Sequence, residues 1–170
     1  MGADIHLYIE YKDDKGNWVI DENQKCESCN GTGEHPNEID DDHKDCGFCY
    51  GDGYKKCDIN RSYLLFSILA DVRNGYGLNP ISDPRGIPQD ASEEYKKIAN
   101  NDDDAHSHSY HTVKQIKKYK KQYTGTDDEG YVSIKIDWEY LKGYFPIDLE
   151  ELAKKHGGDN NVRIVFFFDN

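Results

Sequence analysis

Two stretches of the chain carry the same residue types at the same spacing: Cys26-Glu-Ser-Cys29-Asn-Gly31-Thr-Gly33 and Cys46-Gly-Phe-Cys49-Tyr-Gly51-Asp-Gly53. A C-x-x-C turn aims two sulfurs at one point, and the glycines beyond it let the chain fold back so that its amides face the thiolates. Two such halves make one tetrahedral site, so Cys26, Cys29, Cys46 and Cys49 read as the ligands of a single structural Zn2+. Four sulfurs fill the coordination shell and leave no open position for a hydrolytic water. The fifth cysteine, Cys57, has nothing resembling a catalytic triad beside it and reads as structural.

Two further constellations offer chemistry. In Asp104-Ala-His106-Ser-His108-Ser-Tyr110-His111, an H-x-H pair in extended chain would place both imidazoles on one side, ready to chelate a catalytic metal or touch a ligand. The same Ser/His-rich run before a helix also serves as a hydrogen-bonding corner. The other constellation is Arg73-Asn-Gly-Tyr76-Gly77 with Asp83-Pro-Arg85-Gly86-Ile-Pro88, where arginines on a glycine-proline loop present planar forks to phosphate or carboxylate. A plainer use is pairing with the abundant acids of the chain. The loop lacks the residue order of a P-loop, and Gly75-Tyr-Gly77 is too short for a dinucleotide fingerprint. His6 reads as a hydrogen-bonded structural residue unless the fold brings it to His106 or His108.

The elements that must position these residues are legible in outline. Ala3 to Tyr11 alternates as a strand, Asp13 to Gly16 turns, and Asn17 to Ile20 returns as its antiparallel partner. Leu64, Leu65, Ile68, Leu69 and Val72 recur at helical spacing between Arg61 and Val72, with Asn60 or Ser62 as N-cap. Capping-box patterns open further helices at Asp90-Ala-Ser-Glu93, running through Ile98, and at Thr112-Val-Lys-Gln115, with Val113, Ile116, Tyr119 and Tyr123 inward. Tyr131 to Ile136 alternates like an edge strand, and Asp148 caps a last helix that stops at Gly157-Gly158. Val162 to Phe168 is a buried strand. The expectation is one α+β domain over residues 1–170, with the N-terminal hairpin and C-terminal strand in one antiparallel sheet and about four helices packed on it. A zinc-binding insertion over 24–57 interrupts it, with an acidic loop or weak hairpin tip from Glu34 to Asp45.

The 170 residues suit one domain with a real core. A net charge of -12 disfavours nonspecific nucleic-acid binding across the surface. No apolar run approaches a bilayer span and the start lacks the segments of a signal peptide, so a cytoplasmic location is expected, with no membrane partner. With 13 tyrosines, aromatic rings must supply much of the core and of any pocket.

The paired cysteine repeats resemble those of DnaJ-type chaperones, without the His-Pro-Asp signature of a J-domain. More broadly, Met1-Gly-Ala-Asp-Ile-His6, Leu69-Ala-Asp-Val-Arg73, Pro84-Arg-Gly-Ile-Pro88, His106-Ser-His-Ser109 and Val162-Arg-Ile-Val-Phe166 with Phe168-Asp-Asn170 resemble a family of small bacteriophage proteins, almost end to end. In size and organisation such proteins are similar to sponges that sequester nucleotide-derived immune signals, such as cyclic ADP-ribose isomers or cyclic dinucleotides. That resemblance implies an anti-defence role in the cytoplasm of an infected bacterium and a homo-oligomer; the residues are compatible with it, since Arg73, Tyr76, Arg85, His106, His108 and Tyr110 of the two loop segments offer a pocket of cations, aromatic faces and polar groups for a nucleotide-derived anion. A phosphodiesterase or glycosidic hydrolase using His106 or His108 as acid or base is the enzyme alternative, although a binder is the favoured reading. A protein-protein adaptor acting through the zinc module is the other.

Overall fold

The computed structural model describes residues 2–35, 44–127 and 129–170. The chain folds around a four-stranded antiparallel sheet in the order β2-β1-β6-β3, made of β1 (Asp4–Lys12), β2 (Trp18–Ile20), β3 (His106–Thr112) and β6 (Val162–Asp169). A separate hairpin pairs β4 (Lys121–Asp127) with β5 (Gly130–Ile136). Five helices complete the fold: α1 (Tyr63–Ala70), α2 (Glu93–Asn101), α3 (Val113–Lys118), α4 (Trp138–Leu141) and α5 (Leu149–Lys155). None is long and apolar enough to cross a membrane among the described residues. The architecture is α+β, as expected from strands at both ends of the chain with helices between them.

Strand alternation divides the sheet into two faces with different coverings. Ile5, Leu7 and Ile9 of β1 and Val162, Ile164, Phe166 and Phe168 of β6 join the larger core with α1, α3 and α5. The opposite face offers Tyr8, Val165 and Phe167, which pack with Tyr95, Ile98 and Ala99 of α2 and with Ile20. Two charged residues are buried on this second face. Arg163 Nε donates to Glu10 Oε2 at 2.7 Å, and Nη1 donates to Asp90 Oδ1 at 2.8 Å. Glu10 Oε1 accepts the Ser92 amide at 2.8 Å, while Asp90 Oδ2 accepts Trp18 Nε1 at 3.0 Å. The guanidinium also lies 4.0 Å from the Trp18 ring centroid. Satisfied in this way, the buried pair fastens the start of α2 to three strands.

Several expectations change in detail. Asp90 does not cap α2, because its carboxylate is taken by Arg163 and Trp18; Ser92 caps instead, accepting from the Tyr95 amide. Helix α1 is capped by Ser62, and the Thr112–Gln115 capping box forms in full. Tyr123 leaves the third helix, which ends at Lys118, and belongs to β4, so the lysine-rich stretch is half helix and half hairpin. The His-Ser-His segment is a full sheet strand, β3, and no corner.

The cysteine segment leaves the sheet after β2 and returns beside β1. Its stem replaces the sheet neighbour that the short β2 does not supply. The Ile9 amide donates to Gln24 Oε1 at 2.7 Å, Gln24 Nε2 donates to the Lys55 carbonyl at 3.1 Å, and the Cys57 amide donates to the Leu7 carbonyl at 2.8 Å. An antiparallel bridge between Glu34 and Asp45 closes the base of the acidic loop, of which residues 36–43 lie outside the described residues.

Candidate metal centre and the adjoining groove

The two C-x-x-C-x-G-x-G units are related by an approximate twofold. The Cys26 amide donates to the Gly53 carbonyl at 2.9 Å and the Cys46 amide donates to the Gly33 carbonyl at 2.8 Å. Asn30 and Tyr50, at equivalent positions, both adopt left-handed backbone with φ of 52° and 54°. Where the arms cross, a Cβ on Gly33 would stand 2.1 Å from the Gly51 carbonyl oxygen, and one on Gly53 would stand 2.4 Å from that of Gly31. Only glycine fits at these two crossings.

All four sulfurs are buried and converge. Cys26 and Cys46 Sγ are 3.9 Å apart and Cys29 and Cys49 Sγ 3.7 Å apart. The edge of a tetrahedron with metal-sulfur bonds of about 2.3 Å is about 3.8 Å, so the spacing fits a bound metal ion. The Gly33 amide donates to Cys29 Sγ at 3.3 Å and the Gly53 amide to Cys49 Sγ at 3.2 Å. Burial resists ionisation at Cys29, but the Gly33 amide and the neighbouring thiols outweigh it and hold that thiol down at about 6. Burial, followed by the hydrogen bonds of its sulfur neighbours, pushes the facing Cys49 up to about 12. Cys29 is thus the readier of this pair to ionise, and Cys49 needs a cation to do so. Cys57 stands apart, accepts from Gln24 Nε2 at 3.3 Å, and is pushed up to about 12 by burial, which leaves it a neutral thiol.

Between the module and the second face of the sheet lies a groove of ≈ 280 Å³. His6 and Tyr8 form its floor, Asp52, Tyr54 and Lys56 line its walls, and Phe48 and Tyr50 stand at its lip. The two lip rings are 70% and 86% exposed, an uncommon placement for side chains of this size. Burial, followed by the charge of Asp102 and against that of Lys97, pushes the Asp52 carboxyl up to about 6. Tyr8 is raised far above its ordinary value, first by burial and then by Asp52.

The residues expected to make a ligand pocket do not share one. In β3, Ser107 adopts φ of 52° and the pairing with β6 shifts register between His106 and Ser109. This bulge turns His106 and His108 to opposite faces: His106 stacks on Phe168 at 6.1 Å in the larger core, and His108 on Phe167 at 5.3 Å beneath α2. The expectation that both imidazoles lie on one side is thereby corrected, and chelation of one metal by the pair goes with it. His108 Nε2 lies 3.0 Å from the Ala99 carbonyl, a structural contact.

Arg85 and Tyr110 do meet, with the guanidinium 4.0 Å from the ring centroid. The Pro84–Pro88 loop runs along the outer edge of β3, where the Gly86 amide donates to the His108 carbonyl at 2.8 Å. It covers an edge strand. Arg85 Nη2 donates to His111 Nδ1 at 3.1 Å, while His111 Nε2 donates to the Leu69 carbonyl at 2.7 Å, which fixes the neutral tautomer. Burial holds His111 down at about 4. Arg73 and Tyr76 lie elsewhere: Arg73 Nη2 donates to Asn170 Oδ1 at 3.4 Å, and Tyr76 packs edge-on to Tyr123 of β4 at 5.4 Å.

His6 lines the groove and meets His108 only through Phe167: it stacks on that ring at 4.7 Å, as His108 does at 5.3 Å. Sequence reasoning did not single out Asp52, Tyr54 or Lys56. The available clue was their place within or just after the second cysteine repeat, whose tight turn must aim its side chains back at the sheet. Compared with family models, with curated proteins and with solved structures, the chain matches none.

Proposed function

We propose that the protein is a small-ligand binder whose cysteine centre holds one structural Zn2+ and whose ligand, a nucleotide-derived anion, sits in the groove between the cysteine module and the second face of the sheet. The observation that carries this reading is the composition of the groove: exposed aromatic lips at Phe48 and Tyr50, a lysine wall at Lys55 and Lys56, and the half-buried carboxyl of Asp52. Aromatic faces suit a base, ammonium groups suit phosphate, and a carboxyl suits ribose hydroxyls or a base amine. The pocket drawn from the arginine and His-Ser-His loops is replaced by this one, because the bulge at Ser107 and the edge-strand role of the Pro84–Pro88 loop occupy those residues structurally.

The resemblance to phage proteins supplies the ligand panel, which is cyclic ADP-ribose isomers and cyclic dinucleotides. Calorimetry on zinc-loaded protein should show binding of one of them, weakened about tenfold by Phe48→Ala and unchanged by Arg73→Ala. Absence of binding across the panel overturns the ligand class. Recovery of the bound molecule intact after heat release supports sequestration, and recovery of a smaller product supports the hydrolase alternative. Metal analysis should find one zinc per chain, lost together with ligand binding on strong chelation.

A further inference from the structure

Outside the cysteine module, three ligating side chains from distant parts of the chain meet at the end of the groove. His6 comes from β1, Asp102 from the C-cap of α2, and Asp169 from the last position of β6. Their ligand atoms all lie within 4.8 Å of one another. We propose that His6, Asp102 and Asp169 form a second metal site, for a divalent cation that prefers nitrogen and oxygen donors, of the Mn2+ type.

The geometry suits such an ion. His6 Nε2 lies 3.0 Å from Asp169 Oδ2. Two ligands at neighbouring corners of an octahedron with bonds of about 2.1 Å stand about 3.0 Å apart, so this pair already spans one edge of the shell. Opposite corners are about 4.2 Å apart, so a side-chain adjustment of half-buried Asp102 closes the set. His6 is held in orientation by its stack on Phe167, whose plane it meets at 16°. Asp169 is held by the pairing of β6 with β1 opposite Asp4. Two of the three ligands are thus fixed by the sheet, and His6 also lines the groove. Donor type separates this site from the first: four thiolates favour zinc, whereas one imidazole and two carboxylates favour a harder ion.

Lys56 is a competitor at the same spot. Its Nζ lies 3.4 Å from His6 Nε2, which puts an ammonium beside the nitrogen that would ligate the metal. A cation is thus already favoured at this spot, and an incoming metal must displace the lysine. The consequence is a signature that a merely structural His-Asp pair lacks: removing the lysine charge should tighten metal binding.

The site shares His6 with the groove, but metal alone tests it whatever the groove binds. Zinc-loaded protein is titrated with Mn2+ while the free aqueous Mn2+ spectrum is followed by electron paramagnetic resonance. The expected result is one bound Mn2+ per chain, with affinity reduced about tenfold or more in Asp102→Asn and in His6→Asn and raised several-fold in Lys56→Met. Thermal unfolding without Mn2+ checks that each variant is folded. If His6→Asn fails that check, Lys56→Met at an exposed position and Asp102→Asn at a half-buried one decide the matter. No depletion of free Mn2+ at millimolar protein overturns the site, and so does binding unchanged in Asp102→Asn, which would put the ion elsewhere on this acidic chain.

Discussion

One face of the four-stranded sheet sets Leu7, Ile9, Ile164 and Phe166 against α1, α3 and α5, while the other sets Glu10, Arg163 and His6 beneath α2 and the cysteine module. The first face is nearly all hydrocarbon, and His111, fully buried there, is kept neutral. The second holds a buried ion pair, a half-buried raised carboxyl and two half-buried imidazoles stacked on one phenylalanine. Burial of apolar area explains why the domain folds; polar groups held at fixed positions in a low-dielectric setting explain why a site forms on one side only. The lesson is that scaffold and site share the same strands, residue by alternate residue.

The comparison can be broken most severely from the apolar side. Phe166→Ala removes a fully buried ring and should lower the unfolding free energy by about 4 kcal/mol in denaturant titration. On the polar side, Glu10→Ala leaves Arg163 buried without its main partner and should cost about 3 kcal/mol. Replacing both with Met should recover most of that loss, since hydrocarbon of similar volume needs no partner, and failure to recover would show that the pair does more than fasten α2. Acid should separate the faces by sign. His111 sits at about 4 in the folded chain against an ordinary 6.5, so it is the unfolded chain that takes up the proton first. Stability from the first face is therefore full above pH 6.5 and falls by about 3 kcal/mol as the pH drops to about 4, a slope that His111→Gln should flatten.

The smallest effect runs the other way. Asp52 sits at about 6 against an ordinary 3.8, so the folded chain is the better proton binder and loses stability as pH rises from 3.8 through 6. Asp52→Asn should stabilise the protein by about 1 kcal/mol above pH 6, a figure kept low because the carboxyl is half open to solvent, and should do nothing below pH 4. Thermal unfolding of the two variants across this range, against the parent, reads both slopes.

What could be seen in the residues alone was whatever repeats at short range. The cysteine spacing, the alternation of Ile5, Leu7 and Ile9, the capping box at Thr112 and the stop at Gly157 all signal within a few positions. The bulge at Ser107 does not, because an extended Ser/His run carries no mark of where its partner strand will slip. Glu10 gave no sign of its burial either, because it alternates with Ile5, Leu7 and Ile9 and so reads as outward, whereas Arg163 stands out as the one charge within an apolar strand. His6, Asp102 and Asp169 left no trace, since their proximity exists only once β1, the end of α2 and β6 are assembled.

The crossing of the two cysteine arms also bears on how the module can form. Gly33 lies against the carbonyl of Gly51 and Gly53 against that of Gly31, so each arm is the mould in which the other is cast. A lone eight-residue unit would have neither a wall for its glycine nor a second pair of sulfurs for its metal. The two arms of such a module must therefore be set together: disturbing one removes both the wall and half of the sulfurs from the other.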